Sequence, residues 1–365
     1  MIRKKWYDYS RIDATEAVYR MIIGKRSNGK TYGAMKKVLK NYVQNGKKFA
    51  LVRRFKDHMT KKEMDKYFNG LQSNGEIEKI SKGEWDRIVY QSGGFYLAKW
   101  DEVLNQIVKD VEPFGYTYAL NVPEANKGGD VPDVNIIVFD EFLTRSYYLT
   151  DEFVIFMNLI STIVRQRTDC VVYMLGNTVN KWCPYFNEMG LKNVKNQKQG
   201  TIEVYRYGDS KLTVAVEYCH QEKDSNSKET EKYFAFDNPS LRMITDGAWE
   251  ISVYPHCPYK LKPSDIKFSF YILWDGDIVQ GDVIKRERDS FIFFHMKTTE
   301  IKYPDRDRIY SVVHNPKPNY FRKITSASDK IGDIIASLFR KEKVFYQSNE
   351  IGEIVNNYLK WCRTS

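Results

Sequence analysis

Residues 24–31 read Gly-Lys-Arg-Ser-Asn-Gly-Lys-Thr and fill every fixed position of the phosphate-binding pattern G-x-x-x-x-G-K-S/T. An apolar run with strand character, Ala17–Ile23, precedes them, and a helical stretch, Thr31–Val43, follows. Glycines let backbone N–H groups approach phosphate oxygens, and the helix N-terminus adds the positive end of its dipole. The order strand, loop, helix therefore favours a nucleotide site over a glycine-rich turn before a basic helix.

The residue types in this loop predict individual roles. Lys30 would neutralise charge on the β- and γ-phosphates of ATP, and Thr31 would ligate Mg²⁺. Arg26 would reach back to the phosphates or across a subunit boundary. The residues predicted to surround the nucleotide are Gly24, Lys25, Arg26, Ser27, Asn28, Gly29, Lys30 and Thr31.

A second motif ends the apolar strand Asn135–Phe139 with two carboxylates, Asp140 and Glu141. After a phosphate loop this is the Walker B arrangement. Asp140 would hold Mg²⁺ through its water shell, and Glu141 would orient and deprotonate the attacking water. Alone, the pair would equally fit a solvated strand end, but the upstream loop favours the catalytic interpretation.

Two further positions have open alternatives when judged from the residues alone. Asn177 follows the predicted strand Cys170–Leu175, where a polar side chain would lie beside the γ-phosphate, or where the chain simply turns. Arg165 ends the predicted helix Asp151–Arg165. A cation there either complements the helix dipole or reaches a neighbouring subunit's nucleotide as an arginine finger.

Composition narrows the partners of the chain. Its 365 residues predict about two domains, and its net charge of +10 favours a polyanion. No apolar run approaches the roughly 18 residues of a transmembrane helix, so we expect no membrane partner. Five scattered cysteines without a C-x-x-C motif are typical of reduced cytosolic thiols. A basic stretch after Arg54 predicts DNA contact, or alternatively a solvated helix face, at Lys56, Lys61, Lys62 and Lys66.

Strands alternate with helices over the first half, which predicts an α/β domain with a mostly parallel sheet. The predicted strands are Val18–Ile23, Phe49–Arg53, Arg87–Val89, Phe95–Ala98, Tyr116–Val122, Asn135–Phe139 and Cys170–Leu175, with a β-like pair at Thr201–Tyr207 and Lys211–Tyr218. The polar segment Gln221–Lys232 predicts a linker.

The tail from about Tyr259 differs, because strand-like runs come first and two helices follow, which predicts a small α+β domain. Ser348 is a predicted helix N-cap. Tyr271–Asp277 resembles the first strand of a ribonuclease-H-type nuclease, although a hairpin turn at Asp275-Gly276 is the simple alternative. The predicted elements are strands Lys267–Trp274, Ile278–Ile284, Ser290–Met296 and Arg308–Val313, and helices Asp329–Lys341 and Asn349–Cys362.

Taken together, the motifs resemble the genome-packaging ATPases of the phi-twenty-nine-like small podophages with protein-primed replication. The resemblance covers most of residues 15–190 and, more loosely, the tail. It implies a P-loop ATPase domain of the ASCE type with a mostly parallel sheet over 1–220, a linker over 221–255, and a vestigial ribonuclease-H-like α+β domain over 256–365. It rests on Ile23-Gly24, Arg26, Gly29-Lys30, Val52–Lys56, Val138–Phe142, Arg165–Arg167, Asn177 and Asn187-Glu188.

The resemblance also implies roles and partners. Arg165 matches a finger that acts in trans, and Lys127 matches a loop lysine near the neighbouring subunit's nucleotide, with a solvated loop lysine as the alternative. The implied protein is a homo-oligomeric, pentameric-type ring that hydrolyses ATP with Mg²⁺ to drive double-stranded DNA into a preformed capsid. Its implied partners are DNA, the procapsid portal and, in motors that use one, a packaging RNA. Its implied location is the host cytoplasm, with transient attachment to the procapsid.

Two alternatives remain at this point. One is a non-hydrolysing nucleic-acid-binding scaffold with a relic nucleotide site, against which the intact Lys30, Asp140 and Glu141 argue. The other is a large terminase with an active nuclease, which would need further carboxylates beside Asp275. The later strands offer Glu300 and loop acids such as Asp305 without strong context.

Overall fold

The chain divides into two compact units in the computed structural model, which describes residues 7–122, 133–220, 249–250, 252–286, 289–324 and 329–364. The first unit holds the described residues up to 220, and the second holds those from 249 onward. Lys127 and most of the predicted linker lie outside the described residues. The predicted domain boundaries therefore stay predictions.

The first unit alternates strands and helices as predicted. Its elements in chain order are α1 (Ser10–Asp13), β1 (Tyr19–Gly24), α2 (Lys30–Asn45), β2 (Lys48–Arg53), α3 (Lys61–Ser73), α4 (Glu76–Ile80), β3 (Arg87–Gln91), β4 (Gly94–Asp101), β5 (Gln106–Lys109), β6 (Gly115–Ala119), β7 (Val134–Asp140), α5 (Glu152–Val164), β8 (Val171–Asn177), α6 (Pro184–Glu188), β9 (Ile202–Arg206) and β10 (Thr213–Tyr218).

Ten of the described strands form one sheet in the order β3-β4-β6-β2-β7-β8-β1-β10-β9, with β5 paired to β4. The six strands from β6 to β10 in that order are mutually parallel, and β3, β4, β5 and β9 are antiparallel additions. β1 is buried throughout, as expected of an apolar strand at the centre of a parallel sheet. β8 lies between β1 and β7, which is the ASCE arrangement that we predicted.

Helix α2 and helix α3 cover the core beside the sheet. Met35, Val38 and Leu39 of α2 are buried, and Phe68 of α3 lies within an aromatic cluster. That cluster joins Phe68 to Phe49, Phe95 and Phe114, with ring centroids 5.2 to 6.2 Å apart. Neither α3 nor the short β5 was predicted from the sequence.

The second unit contains a smaller sheet with helices. Its strands follow the order β15-β14-β11-β12-β13-β16; β11 to β13 form an antiparallel meander, and β14 and β15 extend it in parallel at the β11 edge. The mixture of strands and helices agrees with the predicted α+β class of this unit, and its ribonuclease-H-like assignment stays a prediction. The elements are β11 (Ile266–Trp274), β12 (Asp277–Arg286), β13 (Asp289–Met296), β14 (Arg308–Ser311), β15 (Tyr320–Phe321), α7 (Lys330–Arg340), β16 (Val344–Tyr346) and α8 (Asn349–Thr364).

Two local predictions for the second unit can be compared with the structure. The backbone N–H of Ile351 donates to Ser348 Oγ at 3.4 Å, so Ser348 caps α8 as predicted. Asp275 and Gly276 both have positive φ, 52° and 84°, and connect β11 to β12 as a two-residue hairpin turn. The hairpin alternative is therefore the observed one. No three His, Cys, Asp or Glu side chains among the described residues are grouped to hold a metal ion.

Candidate nucleotide site

The predicted nucleotide residues meet at the carboxyl edge of three adjacent parallel strands. In the sheet register Gly24 of β1 lies opposite Asn177 of β8, and Asp140 of β7 lies opposite Leu175 of β8. Ligands of open parallel sheets bind at this edge. A cavity of about 400 Å³ opens there, lined by Arg26, Ser27, Asn28, Gly29, Lys30, Thr31, Tyr32, Asp140, Glu141, Leu175, Gly176 and Asn177.

The phosphate loop is supported from behind by residues distant in sequence. A Cβ at Gly24 would lie 2.9 Å from Cys219 Cβ, so only glycine fits against the end of β10. The Tyr9 hydroxyl donates to the Lys30 carbonyl at 2.7 Å, and the Tyr7 backbone N–H donates to the Asn28 carbonyl at 2.9 Å. These contacts fix the loop between the N-terminal segment and the sheet.

Lys30 is held by oxygen acceptors inside the loop. Its ammonium group donates to the carbonyls of Lys25 (2.8 Å) and Gly24 (3.3 Å), and to the side-chain oxygens of Asn28 (3.0 Å) and Asn177 (3.3 Å). Only 6% of Lys30 is exposed, and burial lowers the pKa of its ammonium to about 8. A phosphate would offer this buried cation a charged partner in place of neutral acceptors.

Thr31 and Asp140 form the pair expected of a magnesium site. The Thr31 hydroxyl lies 3.3 Å from Asp140 Oδ1, so one hydroxyl and one carboxylate from the two motifs adjoin. Mg²⁺ prefers such oxygen ligands and keeps several of its waters. Burial raises the pKa of Asp140, while the neighbouring Arg53 guanidinium and the Tyr67 hydroxyl act in the opposite direction. The residues therefore fit a divalent cation, whose charge would favour the ionised carboxylate.

Arg53 and Tyr67 belong to this site although the sequence did not predict it. The Tyr67 hydroxyl donates to Asp140 Oδ2 at 2.8 Å, and Arg53 donates to Tyr67 at 2.9 Å. Arg53 also lies 3.4 Å from Asp140 and 2.7 Å from Glu141 Oε2. No local pattern signals contacts that span 73 to 88 residues.

Glu141 is held at its backbone as well as its side chain. Its φ is +59°, an uncommon conformation for a residue other than glycine. The Arg54 guanidinium donates to the carbonyls of Glu141 (3.2 Å) and Phe142 (2.7 Å). The same guanidinium forms a buried two-point ion pair with Glu152, at 2.7 and 2.9 Å. This pair ties the end of β7 to the first turn of α5.

The remaining predicted residues fall into two groups. Asn177 contacts Lys30, and Arg26 is exposed and lines the cavity. Arg165 ends α5 with a positive φ of 44° and is exposed outside the cavity lining. Arg167 instead donates to the carbonyls of Ile163 (2.9 Å) and Val134 (2.6 Å), so it satisfies the C-terminus of α5.

The lysines predicted to contact DNA lie before and along α3. Lys61 pairs with Asp65 and Lys66 pairs with Glu63, both at 2.6 Å. Lys56 and Lys62 are exposed. Two of the four predicted lysines are therefore engaged with carboxylates of the same helix, and their contact with DNA stays a prediction.

The described helices include none that is both long and apolar enough to cross a membrane.

Comparison with known proteins gives relatives over nearly the whole chain. The DNA packaging proteins of Bacillus phages PZA and phi29 are each 27% identical over 94% of this chain and all of their own length. The structure of the bacteriophage phi-29 genome packaging motor assembly matches with a TM-score of 0.57 at 17% identity, over 98% of this chain and 99% of that one. The phi-28 DNA packaging motor matches with a TM-score of 0.54 at 18% identity, over 99% and 98%.

The structural likeness shows a shared fold. The profile of the podovirus DNA encapsidation protein (Gp16) family matches residues 1–206, which are more than half of the chain and include every residue that lines the nucleotide cavity. The chain belongs to the podovirus DNA encapsidation protein family.

Proposed function

We propose that this protein is the ATPase of a viral DNA-packaging motor, which hydrolyses ATP and drives double-stranded DNA into a preformed capsid. The observation that carries the proposal is the convergence of Lys30, Thr31, Asp140 and Asn177 at one sheet edge. Family membership and full-length relatives that are DNA packaging proteins support the same function.

The chain's own residues account for binding and activation. Backbone N–H groups of the loop and the Lys30 ammonium would hold the phosphates, and Asn177 would lie beside the terminal one. Glu141 would orient the attacking water and take its proton. Thr31 and Asp140 would hold Mg²⁺, which when bound neutralises charge that develops on the phosphoryl oxygens.

The position of Arg165 supports a homo-oligomeric ring. Helix α5 begins beside the Arg54–Glu152 pair and spans 13 residues, about 20 Å along its axis. Arg165, at its far end, therefore lies toward the opposite edge of the sheet from its own cavity. As an arginine finger it would serve the nucleotide of a neighbouring subunit, and a closed ring gives every subunit such a neighbour.

The remaining partners follow from charge and from the relatives. DNA would contact Lys56 and Lys62, joined by Lys61 and Lys66 when their helix carboxylates release them. The procapsid portal would receive the ring, and a packaging RNA is a further partner that the net charge of +10 would suit. The ring would attach to the procapsid transiently.

The direct test is the ATPase rate of the full chain with and without double-stranded DNA, for the wild type and Glu141→Gln. We expect DNA-stimulated turnover in the wild type. We expect Glu141→Gln to bind ATP normally and to lose turnover by about 10³-fold, because water activation is lost while Thr31 and Asp140 remain. Asp275→Asn is the matched control, since it replaces a carboxylate by an amide directly after an apolar strand of the second unit.

Two results would contradict the proposal. If DNA did not change the ATPase rate of the wild type, the protein would not be a DNA-driven motor. If Glu141→Gln hydrolysed ATP at the wild-type rate, the assignment of Glu141 as the catalytic base would be wrong. Plasmid cleavage with Mn²⁺ that depends on Asp275 would instead place the chain among nuclease-competent terminases.

A further inference from the structure

Exposed apolar side chains of the first unit are concentrated on one hairpin. Of the fourteen large hydrophobic side chains that are exposed among the described residues, five fall within twelve positions. We call them the hairpin tip surface: Trp100 (42% exposed), Val103 (93%), Leu104 (58%), Ile107 (47%) and Val111 (91%). An exposed apolar cluster of this kind marks an interaction site more often than chance.

The hairpin holds these side chains in a fixed arrangement. β4 and β5 pair antiparallel, with Trp100 directly opposite Ile107, so the two side chains share one face. At the turn, Asp101 Oδ1 accepts from the backbone N–H groups of Val103 and Leu104, both at 2.9 Å. Ordering this turn in advance reduces the entropy that a partner must overcome.

The net charge of the hairpin segment disfavours a polyanion as the partner of the hairpin tip surface. Residues 99–112 carry two lysines against four carboxylates, a net charge of −2. Two cations from outside this segment lie against it: Lys48 pairs with Glu112 at 2.8 Å, and the Arg87 guanidinium lies 5.8 Å from the Trp100 ring centroid. The rest of the chain carries 55 basic against 43 acidic residues, a net charge of +12. An acidic, apolar projection on a basic protein is complementary to another copy of that protein.

We propose that the hairpin tip surface docks onto a second copy of this chain. The contact is heterologous, because the projection of one subunit meets a different, basic surface of the next, and contacts of this type form a ring where the rotation between subunits closes. Trp100 is the expected anchor, since tryptophan is enriched among residues that dominate binding energy. The inference rests on the proposed ring and names one of its subunit contacts.

The test replaces the two most projecting side chains by lysine in the full chain, Val103→Lys with Leu104→Lys. This removes apolar area and opposes a basic neighbour. The matched control is Val253→Lys with Val313→Lys, which adds two positive charges at exposed valines of the second unit, 66% and 71% exposed. Self-association is followed by sedimentation velocity across a concentration series, with double-stranded DNA and a non-hydrolysable ATP analogue present.

We expect the tip variant to raise the dissociation constant for self-association by about tenfold or more, and the control to match the wild type. Raising the salt concentration should weaken wild-type association in the same direction. An unchanged melting temperature would show that the variant is folded.

Each other outcome overturns the inference in a distinguishable way. If the tip variant self-associated as strongly as the wild type, the hairpin tip surface would not be a subunit contact, although the proposed ring would still stand. If the wild type stayed monomeric at every concentration, the proposed ring would be wrong as well. Unchanged self-association with abolished binding to empty procapsids would show that the surface serves the portal instead.

Discussion

Two acidic residues follow apolar strands in the two units, and they end in different surroundings. Asp140 ends β7 of the first unit, where Thr31 lies 3.3 Å away and Tyr67 2.8 Å away. Asp275 follows β11 of the second unit and lies in a two-residue turn. The local sequences look alike, a run of apolar residues and then a carboxylate.

The difference comes from how each strand is connected to its neighbour. After β7 the chain crosses over through α5 and returns in parallel, so the ends of β7, β8 and β1 remain together at one edge. After β11 the chain turns back at once, and β12 runs antiparallel beside it. The β7 edge thus gathers residues from distant motifs, whereas the end of β11 lies between the start of β12 and the end of its parallel neighbour β14, where Leu273 is opposite Ser311.

One group of polar side chains in the second unit is hydrogen-bonded internally. Asp282 is buried and accepts from Ser269 at 2.6 Å and Gln280 at 2.8 Å, and it lies 3.0 Å from His295 Nε2. These groups stand side by side on adjacent strands of the meander. These hydrogen bonds stabilise the sheet of the second unit.

The largest expected effect is at Arg165, because catalysis in the first unit is proposed to need this side chain from a neighbouring subunit. Arg165→Ala should lower turnover by about 10³-fold with nucleotide affinity unchanged, because the finger acts on a transition state in the next subunit. Steady-state ATPase and equilibrium nucleotide binding measure the two quantities. Arg206→Ala, an exposed arginine on β9, is the control and should keep the wild-type rate.

Mixing separates action in trans from action in cis. Arg165→Ala subunits mixed with Lys30→Ala subunits should recover part of the activity, since some interfaces then pair an intact loop with an intact finger. If assembled mixed rings show no recovery at any ratio, Arg165 does not act across a subunit boundary.

The next prediction concerns the pH dependence of nucleotide binding, which should reflect the burial of Lys30 at the sheet edge. Burial lowers the pKa of Lys30 to about 8, so above that pH the free site increasingly holds a neutral amine. Phosphate binding needs the ammonium form, and affinity should fall by about tenfold per pH unit above 8. Titrations with a fluorescent ATP analogue between about pH 7 and pH 9.5 measure it. Lys30→Arg, which stays charged, should show no such fall; a flat wild-type profile would contradict the prediction.

Lysines of the first unit, but not those of the second, should contribute to the salt dependence of DNA affinity. Replacing Lys56 and Lys62 by alanine should reduce the slope of log K against log salt by about 0.9 for each DNA phosphate that is no longer neutralised. Basal ATPase should persist, because neither side chain lines the cavity. Lys260→Ala with Lys262→Ala in the second unit is the matched control. Equal slopes for both double variants and the wild type would remove these lysines from the DNA interface.

The smallest expected effect concerns the stability of the second unit. The Asp282 carboxylate raises the pKa of His295 in the folded state. The pair therefore stabilises the fold fully below the His295 pKa of the unfolded chain, about 6.5, and this stabilisation is lost as pH rises through the folded-state pKa. His295 in turn holds the pKa of Asp282 low against the effect of burial, so that contribution is lost only in acid. His295→Gln should therefore cost below about 1 kcal/mol near pH 5.5 and almost nothing at pH 8.5. Urea unfolding at both pH values measures the difference, and an equal loss at both would refute it.

Local patterns were sufficient to predict the elements that carry the two nucleotide motifs. The strands ending at Gly24 and Asp140 agree with the prediction within one or two residues, because continuous apolar runs in a central parallel sheet are a strong signal. Helix α3 was missed although a signal existed: Thr60 accepts from the Glu63 N–H at 3.4 Å, and Thr-x-x-Glu is a capping-box pattern.

The rest of the site could not be read from any local pattern. Arg53 ended a predicted strand and Tyr67 had no predicted role, and only the packing of α3 against the sheet brings them to Asp140. The hairpin tip surface was likewise invisible, because valine and leucine in a strand-rich segment normally predict a core. Contacts between residues far apart in sequence decide such cases.

The parallel order of the sheet also sets a time at which the protein can begin to work. Strand β1, which leads into the phosphate loop, finds its two neighbours only when Val172 and Val214 have been made, about 150 and 200 residues after Tyr19. At about 5 to 20 residues per second, a ribosome needs on the order of 10 to 40 s to synthesise that stretch. Until then a fully buried strand has no partner on one side, and a nascent chain that ends before Tyr218 lacks the β10 end against which Gly24 packs.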